Sequence, residues 1–165
     1  MRARSACTLL LVSFVALPLM LAGAADAQQH GPFAKMAGIW NGAGMLELSD
    51  GKREKIKCHA SYDVPTAQTV DMSIRCASES YNFEIRSSVA HAGGAVSGSW
   101  SESATLAAGD LSGHVSGGHI SAIAKSANFT ASLNVTTSGN HQSVVIRSRD
   151  PQSSIKGVTI SMQRG

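Results

Sequence analysis

From Ile39 onward, apolar and polar residues alternate with a period of two, and this pattern constrains the fold more than any other feature of the chain. Glycine, aspartate, asparagine or proline interrupts it roughly every eight to twelve residues, the usual spacing of turns in antiparallel β proteins. Successive side chains of a strand point to opposite faces of its sheet, so the alternation indicates strands with one buried face. One helical turn is expected before them, between Pro32 and Met36. The sequence therefore predicts an all-β domain.

The predicted strands follow one another closely enough to form a meander. Four with clear alternation are predicted at Ile39 to Ser49, Lys55 to Val64, Val70 to Cys76 and Tyr81 to Val89. Weaker strands are predicted at Ala95 to Glu102, Leu106 to Ser116, His119 to Lys125, Phe129 to Thr137, His141 to Ser148 and Ile155 to Met162. An open sheet of this size exposes two long edges, and closure removes both. We therefore expect an antiparallel up-and-down meander of about eight to ten strands, closed into a barrel.

Two independent features select the register of the hairpin between the second and third predicted strands. A turn centred on Ala67 pairs apolar residues with one another, namely Val64 with Val70, Tyr62 with Met72 and Ala60 with Ile74. The same register places Cys58 directly opposite Cys76 on the apolar face. Opposed residues in a non-hydrogen-bonded pair lie about 4.5 Å apart at Cα, close enough for a disulfide bond. We therefore predict that Cys58 and Cys76 are disulfide-bonded.

The register of the next hairpin is predicted from a turn over Ala77 to Ser80. This turn pairs Ile74 with Phe83 on the apolar face and Asp71 with Arg86 on the outer face. An exposed cross-strand ion pair contributes only a fraction of a kcal/mol. Its opposite charges nevertheless agree with the register.

Residues 1–27 have the three parts of a secretory signal peptide. Arg2 and Arg4 supply positive charge, the stretch from Thr8 to Ala22 is almost wholly apolar, and Ala25-Asp26-Ala27 fits the small-x-small cleavage rule. We expect a signal peptide at 1–27, a single β-barrel domain at 28–165, and a periplasmic or secreted location. Cys7 would leave with the signal, and an oxidising compartment favours a bond between the other two cysteines. No transmembrane segment is expected after cleavage.

The residues that open the first strand resemble those of a known superfamily. Gly38-Ile39-Trp40, preceded by a possible helical turn and followed by Gly42 and Gly44, resembles the Gly-x-Trp opening of calycin barrels. These include lipocalins and the related nitrobindin-like, avidin-like and periplasmic protease-inhibitor barrels. The resemblance implies that Trp40 packs across a closed end of the barrel and that the glycines let the first strand bend. It implies an architecture rather than an activity.

Five aromatic side chains are candidates for lining a ligand pocket. They lie on the apolar faces of consecutive predicted strands: Trp40, Tyr62, Tyr81, Phe83 and Trp100. Such side chains either fill a small barrel or line the cavity of a wider one. Small residues at apparently inward positions either leave volume or serve close packing: Gly42, Gly44, Ala60 and Ser87. The leading hypothesis is an exported, non-enzymatic binding module that carries a small apolar ligand in the barrel.

Two other functions remain open. The barrel rim or the segment Gln28 to Phe33 could bind an envelope protein partner, as a periplasmic protease inhibitor does. A haem- or metal-binding barrel is the third hypothesis, although we predict no cofactor and no metal site. His114 and His119 flank the turn at Gly117-Gly118 and share a face, but no third metal ligand is evident. Of the remaining histidines, His59 lies on the polar face, and His91 and His141 are the haem candidates.

Two further classes are disfavoured by what the sequence contains. No motif for nucleophilic, metal-dependent or phosphate-binding catalysis is recognisable, so we expect no enzymatic activity. The chain has 14 Lys and Arg against 11 Asp and Glu, a net charge of +3. So mild an excess does not indicate a nucleic-acid partner.

Overall fold

The computed structural model describes residues 31–165, and within them nearly every residue outside the turns belongs to a strand. The predicted signal peptide, with Cys7, and residues 28–30 lie outside the described residues. A 3₁₀ turn at Ala34–Met36 precedes ten strands. These are β1 (Gly38–Leu48), β2 (Arg53–Thr66), β3 (Thr69–Ala77), β4 (Asn82–Ala92), β5 (Ala95–Glu102), β6 (Ala107–Ser116), β7 (His119–Lys125), β8 (Thr130–Ser138), β9 (His141–Ser148) and β10 (Ile155–Arg164). The all-β prediction is confirmed.

Each strand pairs antiparallel with the next, and β10 returns to pair with β1, so the sheet closes into a barrel. This confirms the predicted meander and its closure. Three strands, β5, β7 and β9, have the predicted bounds. None of the helices within residues 31–165 is long and apolar enough to cross a membrane.

The connections between strands define two ends of the barrel. The 3₁₀ turn lies at the end that carries the turns after β2, β4, β6 and β8, and it contacts β2 and β8. We call this the closed end. The connections after β1, β3, β5, β7 and β9 lie at the opposite end, which we call the open end.

Trp40 is the centre of the closed end. Its side chain is fully buried together with that of Phe33, and its Nε1 donates a hydrogen bond to the carbonyl of Met36, 2.7 Å away. The guanidinium of Arg164 lies 4.8 Å from the centre of the Trp40 ring and also donates a hydrogen bond to the carbonyl of Lys35. The first strand, the last strand and the 3₁₀ turn are thus joined at one side chain.

The two glycines that follow Trp40 allow β1 and β10 to approach each other closely. A Cβ at Gly42 would lie 2.3 Å from the carbonyl oxygen of Ser161, and one at Gly44 would lie 1.8 Å from that of Thr159. Any side chain there would collide with the backbone of β10. Of the two roles open to these glycines in the sequence, the structure therefore assigns close packing rather than empty volume.

The predicted disulfide bond is present between Cys58 and Cys76, whose Cα atoms are 4.1 Å apart. Its register is confirmed by the pairing of Tyr62 with Met72 and of Ala60 with Ile74. The predicted pairing of Val64 with Val70 is wrong, because the register shifts between Asp63 and Thr66. A bulge near the turn adds residues to one strand and ends the regular pairing early.

The predicted register between β3 and β4 is wrong by two residues. Ile74 pairs with Ile85 rather than Phe83, and Arg86 lies opposite Ser73 rather than Asp71. The turn spans residues 78–81, one residue later than predicted, and a shift of one residue in the turn changes every pairing by two. The carboxylate of Glu54 holds the turn there: it accepts hydrogen bonds from Ser78 Oγ at 2.7 Å and from the backbone N–H of Ser80 at 3.1 Å.

The outer face therefore carries a different ion pair from the predicted one. The carboxylate of Glu84 lies 3.2 Å from Arg75 Nε and 2.6 Å from Arg86 Nη2. Hydrogen bonding to Arg75, with a further contribution from Arg86, lowers the pKa of Glu84. Glu84 is partly exposed and both arginines are largely exposed, so these ion pairs contribute little to stability.

Replacement of Cys58 and Cys76 together by Ser should destabilise the barrel without abolishing the fold. The bond closes a loop with a sequence separation of 18 residues, which in the chain-entropy model corresponds to about 3 kcal/mol. Thermal unfolding should shift to a temperature roughly 10 °C lower. Two freely titrating thiols in folded protein isolated under oxidising conditions would contradict the assignment.

Trp40→Ala should cost about 3–5 kcal/mol of unfolding free energy, because it empties the centre of the closed end. Lys55 is exposed on the outer face of β2, and Lys55→Ala should change stability by less than about 0.5 kcal/mol. Urea unfolding of both variants measures the difference. Similar small losses from the two would show that Trp40 does not organise this end.

Candidate functional site

The closed half of the interior is filled, and its polar side chains bond to one another. The Tyr62 hydroxyl donates to Gln142 Oε1 at 2.7 Å, and Gln142 Nε2 donates to Thr137 Oγ1 at 3.1 Å. All three side chains are buried. Burial raises the pKa of Tyr62, although the hydrogen bond to Gln142 partly opposes it. The phenol therefore stays protonated and fixed across this part of the interior.

The open half differs, because its inward-facing apolar side chains remain partly exposed. They pack against the core at the ends of their strands: Leu48, Tyr81, Phe83, Ile85, Trp100, Leu133, Ile146 and Ile155. Two aromatic pairs stand among them. The rings of Tyr81 and Phe83 have centres 6.5 Å apart, and those of Trp100 and Phe129 are 5.9 Å apart in an edge-on arrangement. The open end is thus an apolar mouth with aromatic walls.

The five aromatic residues predicted to line a pocket divide between the two ends. Trp40 and Tyr62 belong to the filled, closed half, where they are packed and hydrogen-bonded. Tyr81, Phe83 and Trp100 lie at the open end. The structure therefore places three of the five at the same end of the barrel, with Tyr81 beside Phe83 and Trp100 beside Phe129.

Several residues of the mouth are not among the candidates that the sequence indicates. Phe129 was expected to begin a strand, but it precedes β8 and its ring contacts Trp100. Leu133 and Ile146 lie on predicted strands. Their positions along those strands, nearer the open end than the closed end, are the signal that places them at the mouth. The resemblance places Trp40 across a closed end, so this signal can be read once the position of Trp40 is combined with the up-and-down strand order.

Trp100 has the polar atom in the open half that the protein leaves unsatisfied. Within residues 31–165, its buried Nε1 has no hydrogen-bond partner. The neighbouring side chain on β4 is Ser87, whose hydroxyl is committed to the carbonyl of Ser99 at 2.9 Å. The neighbour on β6 is Gly109, which has no side chain. The indole N–H is thus unpaired and flanked across the sheet by small residues, and an acceptor would reach this buried atom only after a neighbouring side chain moved.

The rim of the mouth beside Trp100 is shaped by Glu102. Its carboxylate accepts hydrogen bonds from the backbone N–H of Ala104 at 2.9 Å and of Thr105 at 2.7 Å, and from the Thr105 hydroxyl at 2.6 Å. Burial raises the pKa of Glu102, but these hydrogen bonds together lower it below its usual value. The ordered turn presents Leu106 with a φ of 55° and 88% of its surface exposed.

The outer wall of β2–β6 carries two shallow grooves. One has a volume of about 640 Å³, and its lining includes several serines with Asp63, Asp71 and Arg86, together with Tyr62, Met72 and Trp100. The other has about 510 Å³ and lies beside His59, Arg75 and Glu84. Both grooves are open to solvent, so neither encloses a ligand.

The histidines occupy positions that bear on the haem and metal hypotheses. His114 and His119 are exposed, as are His59 and His141. His91 lies at the closed end against Phe33; its Nδ1 is 2.5 Å from Gln68 Oε1, and its Nε2 accepts from the N–H of Gly94 at 2.9 Å. Both of its ring nitrogens are therefore engaged. Across residues 31–165 no group of three or more His, Cys, Asp or Glu side chains could hold a metal ion.

Comparison with known proteins identifies the fold and no sequence family. No protein-family model and no curated protein matches the sequence. The crystal structure of Rv2717c from M. tuberculosis is similar, with a TM-score of 0.67 and 10% identity over 87% of this chain and 99% of that chain. The S-type phycobiliprotein lyase CPES from Guillardia theta has a TM-score of 0.54 and 9% identity over 81% of this chain and 90% of that chain. The chain thus shares an antiparallel barrel fold with these proteins.

Tyr62→Phe and Tyr81→Phe test the contrast between the two halves. Loss of the Tyr62 hydroxyl leaves the buried oxygen of Gln142 without its donor, which should cost about 1–3 kcal/mol of unfolding free energy. Tyr81 is partly exposed, so the same change there should cost less than about 0.5 kcal/mol. Chemical denaturation of both variants gives the comparison, and equal costs would contradict a filled closed half.

Proposed function

We propose that this protein is a binding barrel that holds a small, largely apolar ligand at its open end. The observation that carries the proposal is the contrast between the two halves of the interior. The closed half is buried and internally hydrogen-bonded, whereas apolar and aromatic side chains at the open end stay partly exposed to solvent. Concave apolar surfaces with few polar groups are the usual form of small-ligand sites.

The proposal is for binding rather than catalysis. Tyr62, a titratable side chain buried in the closed half, is committed to Gln142, and its raised pKa removes it from acid–base chemistry near neutral pH. At the rim, the carboxylate of Glu54 accepts hydrogen bonds from the turn between β3 and β4, and that of Glu102 accepts them from the turn that follows β5. A lyase is among the similar structures, so the fold itself does not decide between binding and catalysis. The proposal of binding rests on Tyr62, Glu54 and Glu102.

Export is part of the proposed function. The signal-like residues 1–27 would direct the chain out of the cytoplasm, and the disulfide between Cys58 and Cys76 is compatible with an oxidising compartment. Inside the barrel this bond is shielded from solvent, since both cysteines are at least nine-tenths buried.

A second candidate function, binding of an envelope protein partner at the rim, rests on Leu106. A large apolar side chain is rarely left almost wholly exposed in a left-handed backbone conformation that only a well-ordered turn maintains. At the rim it is positioned to contact another protein. It makes little contact with the mouth itself, so the two candidate functions depend on different residues.

An apolar fluorescent probe, N-phenyl-1-naphthylamine, should bind the protein in the micromolar range and quench tryptophan fluorescence. Phe83→Ala and Trp100→Ala should each weaken binding about tenfold, because each removes a large part of the aromatic wall. Fluorescence titration provides the dissociation constants, and thermal melting confirms that the variants are folded.

His114→Ala and Leu106→Ser are the matched controls, since both residues are exposed outside the mouth. Each should leave the dissociation constant within twofold of the original. Absence of probe binding to folded protein would refute the carrier function. Loss of binding in the controls as large as in Phe83→Ala would move the site away from the mouth.

A further inference from the structure

We infer that the ligand is an uncharged molecule with one carbonyl-type acceptor, and that Trp100 Nε1 donates the hydrogen bond that orients it. The inference rests on the proposed function and adds a ligand class to it. Three observations carry it: the unsatisfied indole, the small residues beside it, and the charges of the rim.

The indole of Trp100 differs from the other polar aromatic groups of the interior. Trp40 Nε1 donates to the carbonyl of Met36, and the Tyr62 hydroxyl donates to Gln142. Buried polar groups in folded proteins are nearly always paired in this way, because burial removes the hydrogen bonds that water would make. Trp100 Nε1 is buried and unpaired within the described part of the chain. An unpaired buried donor in an apolar mouth indicates that the ligand supplies the acceptor.

Small residues leave room for that acceptor. The cross-strand neighbours of Trp100 are Ser87 and Gly109, and the Ser87 hydroxyl already donates to the carbonyl of Ser99. Phe129 covers one edge of the indole, with the two ring planes inclined at 66°. A flat or narrow apolar molecule that entered beside the indole would therefore meet Phe129 as its nearest aromatic contact, with Phe83 farther along β4 toward the rim.

The charges at the rim select against an anionic ligand. Glu102 lies two residues beyond Trp100 on the same face of β5, and Glu54 lies at the corresponding end of β2. Hydrogen bonds from Ser78 and Ser80 lower the pKa of Glu54, and those from Thr105 and Ala104 do the same for Glu102 against its burial. Both groups are therefore ionised at neutral pH. Lys52, Arg53 and Lys156 also lie at this end of the barrel, but the charge nearest the indole along β5 is that of Glu102. A ketone, aldehyde, ester or amide oxygen therefore fits beside Trp100 better than a carboxylate does.

Three probes with one naphthalene ring distinguish these possibilities. They carry a 2-dimethylamino group and, at position 6, a propionyl ketone, a propyl chain or a carboxylate. The ketone should bind about tenfold more tightly than the propyl probe, as one net hydrogen bond implies. It should also bind more tightly than the carboxylate. Its emission should be red-shifted in the complex, because a hydrogen bond to the carbonyl stabilises the excited state.

Trp100→Phe keeps an aromatic ring and removes the donor. In this variant the ketone should lose about tenfold in affinity and its emission should shift to the blue, while the affinity of the propyl probe changes less than twofold. Phe129→Leu is the matched control: it keeps the donor and should weaken the ketone and propyl probes alike.

A second measurement does not depend on folding of the variant. The chain has two tryptophans, so two indole N–H resonances are expected in a nitrogen-15 spectrum. The Trp100 signal should move downfield with the ketone probe and much less with the propyl probe. Equal binding of the two probes, an unmoved Trp100 signal or preference for the carboxylate would overturn the inference and leave the carrier function standing. Failure of all three probes to bind would refute the carrier function itself.

Discussion

The antiparallel pairing of β1 with β10 is the constraint on which the rest of the structure depends. It converts an open meander into a continuous wall, and it requires two backbones to approach where Gly42 and Gly44 leave space. A closed wall has no edge that could pair with another chain. Its interior can then be reached only through the two ends, and Trp40 with Phe33 blocks one of them. The position of the candidate site follows from that closure.

The two ends of the barrel satisfy their polar groups in different ways. At the closed end, side chains bond to one another and to nearby carbonyls, as Tyr62 does with Gln142 and Trp40 with Met36. At the open end, Glu54 and Glu102 direct their carboxylates to the N–H groups of neighbouring turns. Those turns are thereby ordered without a side chain crossing the mouth. A rigid rim around an accessible apolar interior suits a preformed site, since little ordering is required on binding.

The fold could be predicted from the sequence because its signals are local. Alternation places strands, glycine and aspartate place turns, and the facing cysteines fix one register within a single hairpin. The register of β3 with β4 could not be predicted, because the turn is positioned by Glu54, a residue from another strand that lies far away in sequence. Contacts between residues distant in sequence also limit the prediction of the site. The sequence indicates that Phe83 and Trp100 face inward, but whether they fill the core or line a mouth depends on which side chains occupy the closed end.

The order of the strands has a consequence for how the chain folds. Nine of the ten strand pairings in the described residues join neighbours in sequence, and such hairpins form quickly because they close short loops. The tenth joins residues as distant as Trp40 and Arg164, so it cannot form before β10 is available. Until then the apolar face of the sheet and both of its edges stay uncovered. The chain therefore passes through a stage exposed to aggregation, and the stacking of Arg164 on Trp40 is among the contacts that end it.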